Sequence, residues 1–158
     1  MDIFVFGTLR SDTLREIVLG RDISSDDICE ATIRDFQVYW AKEGPFPVMI
    51  PEPNSEAHGL VLKNLSEPDV ERLNYYELGF DYVLATTSVE THAGQIGVSA
   101  YFCNRSDMAT TKLWSFDDWL SDHSEIQYLA AREFLDFFGT KFGDTAQVMY
   151  NSILKRAE

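Results

Sequence analysis

One carboxylate in the sequence lies in a setting that suits proton transfer. Glu77 falls at the end of a predicted helix, just before Gly79, and tyrosine and phenylalanine residues flank it on both sides. A carboxylate is disfavoured at the negative end of a helix dipole, and burial among aromatic rings raises its pKa further. A glutamate of this kind can accept and return a proton. The alternative is a surface glutamate flanked by core aromatics.

A second feature is the tetrapeptide formed by Phe6, Gly7, Thr8 and Leu9. Gly7 ends an apolar strand, and a helix begins soon afterwards at Ser11. Backbone N–H groups at such a junction lack partners and converge, and they can bind a carboxylate or a developing oxyanion. The alternative is a plain strand-to-helix turn that binds nothing.

Other chemistry receives little support from the sequence. His58, His92 and His123 are far apart and fit no metal-ligand spacing, and we expect the last two to be surface residues. Cys29 and Cys103 lack a Cys-x-x-Cys spacing, which favours small buried thiols in a reducing compartment over a redox pair. We therefore expect no metal site.

The elements that must position these residues follow from local patterns. The apolar run of residues 3–6 predicts a central strand, and a helix should then begin after Ser11 and end at Gly20. Aromatic and β-branched residues predict a strand over residues 31–40, and a break in their alternation predicts a bend near Asp35.

The middle of the chain alternates between extended segments and one helix. Four of the five prolines lie in residues 44–53, which we expect to be extended and to be neither helix nor central strand. A helix should begin at Ser66 and end at Gly79. Separate strands, two of them forming a hairpin, are predicted over residues 59–62, 82–89 and 96–102.

The last third of the sequence has a helical character. Ser115 or Asp117 could cap a short helix, Ser124 could cap a longer one, and residues 145–156 could form a third. With no linker or repeat in 158 residues, we expect one α+β domain over residues 1–158. Its core spans about residues 1–103, and its helical tail spans about residues 104–158.

The charge balance narrows the classes of partner. Acidic residues outnumber basic ones 26 to 13, giving a formal charge of −13. Such a charge repels nucleic acid and anionic membrane surfaces, so we expect neither as a partner. The longest apolar run is far shorter than the ~20 residues of a membrane-spanning helix. The N-terminus also lacks the basic start of a signal peptide. We therefore predict a cytoplasmic location.

Four segments, in chain order, resemble motifs of the γ-glutamylcyclotransferase-like (AIG2-like) family. They are residues 6–9, 46–49, 58–61 and 73–82. The first resembles the family's Tyr-Gly-Ser/Thr-Leu signature, the second its proline-containing loop, and the third a strand in which glycine precedes apolar residues. In the fourth, Leu73, Asn74 and Glu77 resemble Leu-Asp-x-x-Glu-Gly, and the Tyr82 that follows resembles the start of Tyr-x-Arg. The resemblance covers roughly residues 1–103.

The resemblance implies a fold and a reaction. The fold is a small mixed β-barrel flanked by helices, in the α+β class, with a cavity between the first turn and the helix that ends at Glu77. In the reaction, the α-amino group of a γ-glutamyl amine or peptide attacks its own γ-carbonyl and releases 5-oxoproline. Glu77 would be the catalytic general acid and base.

The resemblance also implies binding roles. The implied substrate-binding residues are Phe6, Gly7, Thr8, Leu9, Pro47 and Tyr82, the first four through their backbone. No metal and no organic cofactor are required. The implied partner is a small γ-glutamyl or amino-acid-like ligand.

Some positions depart from the family pattern and favour a second hypothesis. Phe6 replaces the signature tyrosine, Asn74 stands where aspartate is common, and Leu84 replaces the arginine. The alternative is a non-catalytic module that keeps the cavity and binds or senses a small ligand. The tail from Trp114 onward resembles that of a bacterial branch in which such domains adjoin a Nudix hydrolase, which is then a candidate partner.

Overall fold

The computed structural model describes residues 1–77, 82–103 and 105–140. Within these ranges the strands are β1 (Ile3–Val5), β2 (Ile28–Ala41), β3 (Pro47–Leu62), β4 (Tyr82–Thr91), β5 (Gly94–Cys103) and β6 (Ala109–Leu113). The helices are α1 (Asp12–Leu19), α2 (Glu67–Glu77), α3 (Phe116–Asp122) and α4 (Ser124–Asp136). Short 3₁₀ turns lie at Thr8–Arg10, Ser25–Asp27 and Ser106–Met108.

Strands β1 to β5 close into a barrel. β1 lies between β3, to which it is antiparallel, and β5, to which it is parallel. The sheet continues through β4 to β2, and β2 pairs with β3 to close the ring, while β6 is added beside β2. This mixed barrel with helices around it confirms the predicted α+β class.

Several local predictions are confirmed at the start of the chain. All three residues of β1 are buried, as expected for a central strand. Ser11 caps α1 by accepting a hydrogen bond from the first helical turn, and Gly20 ends the helix with φ 72°. The bend in β2 lies at Asp35, where φ is 64° and the register with β3 shifts. The hairpin of β4 and β5 is also present.

The structure corrects the strand prediction for the proline-rich segment. Pro47 and Pro51 lie inside β3, opposite Trp40 and Phe36 of β2, and the predicted strand at residues 59–62 is the far end of the same strand. β1 pairs with β3 only at that far end. Within the described residues, the proline end of β3 therefore has a ladder on one side only, and on the other side a missing N–H group is tolerated.

The tail also differs from the prediction. β6 occupies a stretch that was expected to be helical. The strand is short and largely exposed, and its residues do not alternate between buried and exposed, so the sequence shows no strand pattern there. Ser115 caps α3, whereas Ser124 is the first residue of α4 and donates to the carbonyl of Leu120. Leu129 of α4 is 60% exposed. The predicted stop at Gly79 and the helix at 145–156 lie outside the described residues.

The tail helices share the core of the barrel. Trp119 and Phe134 are buried in the same apolar cluster as Phe4 and Leu73. No helix in the described part of the chain is long and apolar enough to cross a membrane.

The histidines and cysteines are dispersed over the surface and the core margin. His58 and His92 are exposed, but His123 is half-buried with its ring edge-on to a tryptophan, which corrects the surface assignment. Cys29 and Cys103 form no disulfide and are only half-buried, whereas the sequence analysis expected buried thiols. Among the described residues, no group of three or more His, Cys, Asp or Glu side chains is placed to hold a metal ion.

Candidate active site

A cavity lies between the turn that follows β1 and the last turn of α2. Its volume is about 40 Å³. The residues singled out in the sequence all line it: Phe6, Gly7, Thr8, Leu9, Pro47, Glu77 and Tyr82. The other described residues that line the cavity are Phe4, Val5, Phe46, Tyr76, Tyr101 and Gln127. The closed barrel thus brings segments that are far apart in sequence to one place.

Glu77 occupies the end of α2 and is half-buried. Burial raises the pKa of its carboxyl group to about 8. Among the described residues, no side chain donates a hydrogen bond or forms an ion pair that would offset this cost. Burial, followed by the nearby Glu77 carboxyl, also raises the pKa of the Tyr82 and Tyr101 hydroxyls. The cavity therefore contains an acid that is mostly protonated at neutral pH.

The turn after β1 presents a short run of backbone amides. The first hydrogen bonds within the turn run from the Arg10 amide to the Gly7 carbonyl, and from the Ser11 amide to the Thr8 carbonyl, both at 3.0 Å. The amides of Gly7, Thr8 and Leu9 precede these donors, and within the described ranges they have no acceptor. They are therefore free to bind an anionic oxygen.

A buried arginine, missed in the sequence analysis, is hydrogen-bonded to this turn. Arg15 of α1 is 4% exposed, and its Nη1 donates to the carbonyls of Leu9 at 2.9 Å and Arg10 at 2.8 Å. Asp12 pairs with the same guanidinium. The sequence does not indicate a buried position for Arg15, because a basic residue in an amphipathic helix usually faces solvent.

Pro47 packs closely against the turn at Gly7. A Cβ atom built on Gly7 would lie 2.4 Å from Cγ of Pro47, so only glycine permits this contact. Tyr82 donates a hydrogen bond to the Pro47 carbonyl at 2.7 Å, and its ring packs edge-on against Phe6. Tyr82 therefore has a visible role in holding the cavity wall.

Two hydrogen-bonded groups complete the wall, and sequence reasoning found neither. Tyr101 donates to Oδ1 of Asn74 at 2.6 Å, so the position where the family often has aspartate acts as an acceptor here. In α4, Gln127 accepts from Trp119 and donates to the Tyr76 hydroxyl. Tyr101 could have been found from its inward position in a predicted strand, but Gln127 gave no signal.

These features define a class of protein: a small mixed barrel in which a carboxyl group with a raised pKa shares a cavity with the turn after the first strand. The sequence profile of the family "Gamma-glutamyl cyclotransferase, AIG2-like" matches residues 3–121. The chain belongs to this family. The match runs past residue 103, where the motif resemblance ended, and stops before α4.

Two similar proteins come from one plant. AIG2-like protein A of Arabidopsis thaliana is 26% identical over 127 residues, covering 78% of this chain and 74% of that protein. AIG2-like protein B of the same plant is 26% identical over 138 residues, covering 85% and 78%.

Solved structures share the fold. The solution structure of an Arabidopsis thaliana protein has a TM-score of 0.60 at 20% identity, covering 90% of this chain and 86% of that one. A gamma-glutamyl cyclotransferase structure has a TM-score of 0.55 at 12% identity, covering 98% of each chain. At these identities the likeness shows the fold alone.

Proposed function

We propose that this protein is a cyclotransferase that releases 5-oxoproline from a γ-glutamyl amine or γ-glutamyl peptide. The observation that carries the proposal is the placement of Glu77, whose pKa is raised to about 8, in one cavity with the turn at Gly7. Membership of the family "Gamma-glutamyl cyclotransferase, AIG2-like" supports the same reaction class.

The reaction needs positioning and proton transfer. The α-amino nitrogen attacks the γ-carbonyl carbon, a five-membered lactam closes, and the bond to the leaving nitrogen breaks. The attacking nitrogen loses two protons and the leaving nitrogen gains two, so the overall proton count is unchanged. The ionised form of Glu77, which is the minor form at neutral pH, takes one proton from the attacking nitrogen and delivers it to the leaving nitrogen, and a second transfer of the same kind moves the second proton. Holding the reacting atoms together supplies much of the remaining rate.

The other cavity residues hold the substrate in this proposal. The amides of Gly7, Thr8 and Leu9 bind the substrate carboxylate or the oxyanion that forms at the γ-carbonyl. Phe6 and Pro47 form apolar walls. Tyr82 acts by keeping Pro47 in place through its hydrogen bond. Every step is a proton transfer or an acyl transfer, so the reaction calls for no metal and no organic cofactor.

The proposal is tested with a panel of γ-glutamyl amines and γ-glutamyl dipeptides, with 5-oxoproline release as the readout. We expect release from at least one member of the panel, at the same rate with and without a chelator. A rate that falls on chelation would contradict the mechanism. Binding without turnover across the panel would favour the non-catalytic module, for which the missing hydroxyl at Phe6 is the supporting observation.

The domain organisation, the cellular location and a protein partner are further predictions. We propose that residues 1–158 form one domain, because the described tail helices and the barrel share one apolar cluster. A cytoplasmic location and the partnership with a Nudix hydrolase remain sequence-based predictions.

A further inference from the structure

The side-chain amide of Gln127 has a fixed orientation. The indole N–H of Trp119 can only donate, and it lies 2.9 Å from Oε1 of Gln127. The other end of the amide must therefore carry the nitrogen. This Nε2 donates to the Tyr76 hydroxyl at 2.8 Å. Because Trp119 is fully buried, the amide cannot rotate without breaking a buried hydrogen bond.

One of the two Nε2 hydrogens has no acceptor in the described part of the chain. Nε2 carries two hydrogens, and the Tyr76 hydroxyl takes one. Gln127 is only 2% exposed, so bulk water does not satisfy the second, but the residue does line the cavity. Buried donors without acceptors are rare in folded proteins, and those that occur often have a functional explanation. A ligand in the cavity would supply one.

The helix that carries Gln127 is built against both sides of the site. The neighbouring residue, Tyr128, shares a 2.6 Å hydrogen bond with Ser11, which caps α1 directly after the turn. α4 therefore contacts the N-terminus of α1 through Tyr128 and the end of α2 through Gln127. It lies beyond the residues matched to the family, which end at 121.

We propose that Gln127 is a ligand-binding residue of this site, donating a hydrogen bond through Nε2 to a carbonyl or carboxylate oxygen of the bound γ-glutamyl group. This inference rests on the proposed function for the class of ligand. It makes α4 a specificity-determining part of the site, because a ligand without an acceptor oxygen at this point would leave the buried donor unsatisfied.

The test is NMR of the full-length ¹⁵N-labelled protein titrated with 5-oxoproline. The side-chain NH₂ signal of Gln127 is assigned in the wild type by its NOE to the indole N–H of Trp119, to which the same amide is hydrogen-bonded. We expect the hydrogen that is not bonded to Tyr76 to shift on titration. A parallel titration with 2-pyrrolidinone, which has only the lactam carbonyl, and with L-proline, which has only the carboxylate, identifies the oxygen that Gln127 binds. A Gln127 signal that responds to none of these probes would overturn the inference.

A variant gives an independent measurement. Gln127→Met should weaken 5-oxoproline binding roughly 2- to 10-fold if the acceptor is a carbonyl, and more if it is a carboxylate. Gln95→Met, at an exposed site in β5, is the matched control and should bind like the wild type. If Gln127→Met fails to fold, the wild-type titration decides alone. Unchanged binding by folded Gln127→Met would contradict the inference.

The two proposals fail in different ways. Absence of turnover on the substrate panel, together with a shifted Gln127 signal, would remove the cyclotransferase proposal and keep the binding role of Gln127. Turnover with an unresponsive Gln127 signal would remove the binding role and keep the cyclotransferase proposal.

Discussion

Gly7→Ala should disturb the cavity through one defined contact. The added Cβ would lie 2.4 Å from Cγ of Pro47, whereas ordinary contacts begin at 3.4 Å, so the proline ring must retreat by about 1 Å. The Pro47 carbonyl is held at 2.7 Å by the Tyr82 hydroxyl, and a shift of this size strains or breaks that bond. Overpacking of this kind costs about 1–3 kcal/mol of stability. A displacement of about 1 Å in a positioned site can also cost ~10²-fold in rate.

The assay combines urea denaturation with 5-oxoproline release, and it has two controls. Gly97→Ala in β5 adds a Cβ with no neighbour within 4 Å and should leave both measurements near the wild-type values. Pro47→Ala removes the clashing Cγ and leaves Cβ at 3.5 Å, so it should relieve most of the Gly7→Ala defect in the double variant. The coupling free energy between Gly7→Ala and Pro47→Ala should therefore be large and favourable.

Two results would refute this reasoning. The first is a Gly7→Ala variant as stable and as active as Gly97→Ala. The second is a double variant in which the two losses simply add, since that would show that the damage does not pass through the Gly7–Pro47 contact.

The remaining predictions concern stability. Because the folded-state pKa of Glu77 is raised to about 8, its stabilising contribution is complete at acid pH and is lost as the pH rises toward that value. Glu77→Gln should remove this pH dependence of the free energy of unfolding in urea titrations taken at several pH values. A variant with the same pH dependence as the wild type would count against burial of the carboxyl. Gly59→Ala should destabilise more than Gly97→Ala, because its Cβ would lie 2.2 Å from the Val5 carbonyl oxygen. Truncation after Cys103 should give no cooperative thermal transition, since it removes Trp119 and other core residues worth roughly 1.5–3 kcal/mol each.

The sequence predicts those parts of the fold that local chemistry decides. The cap at Ser11, the stop at Gly20 and the bend at Asp35 each depend on residues within a few positions, and all three are present. The strand β6 was missed because its pairing with β2 is a tertiary contact and its own residues show no periodic burial. The length of β3 was missed because a one-sided ladder tolerates its prolines.

In the candidate site, too, some residues can be predicted from the sequence and others cannot. Glu77 and the turn at Gly7 lie in motifs that resemble those of the family, so the sequence alone predicts both as site residues. Arg15 and Gln127 were missed because polar residues on amphipathic helices usually face solvent, and only the packed structure shows that these two face inward. Their contacts depend on how α1 and α4 dock, which no local pattern determines.

The central claim is that Glu77 moves the protons in 5-oxoproline release. The most direct measurement is turnover by wild type, Glu77→Gln and Glu71→Gln on a panel substrate that the wild type cleaves. Glutamine keeps the shape of the side chain but cannot accept and return a proton, so we predict a loss of about 10²–10⁴-fold or more. Glu71, exposed on the same helix, should tolerate the change with no effect. Wild-type turnover by a folded Glu77→Gln variant would contradict the account.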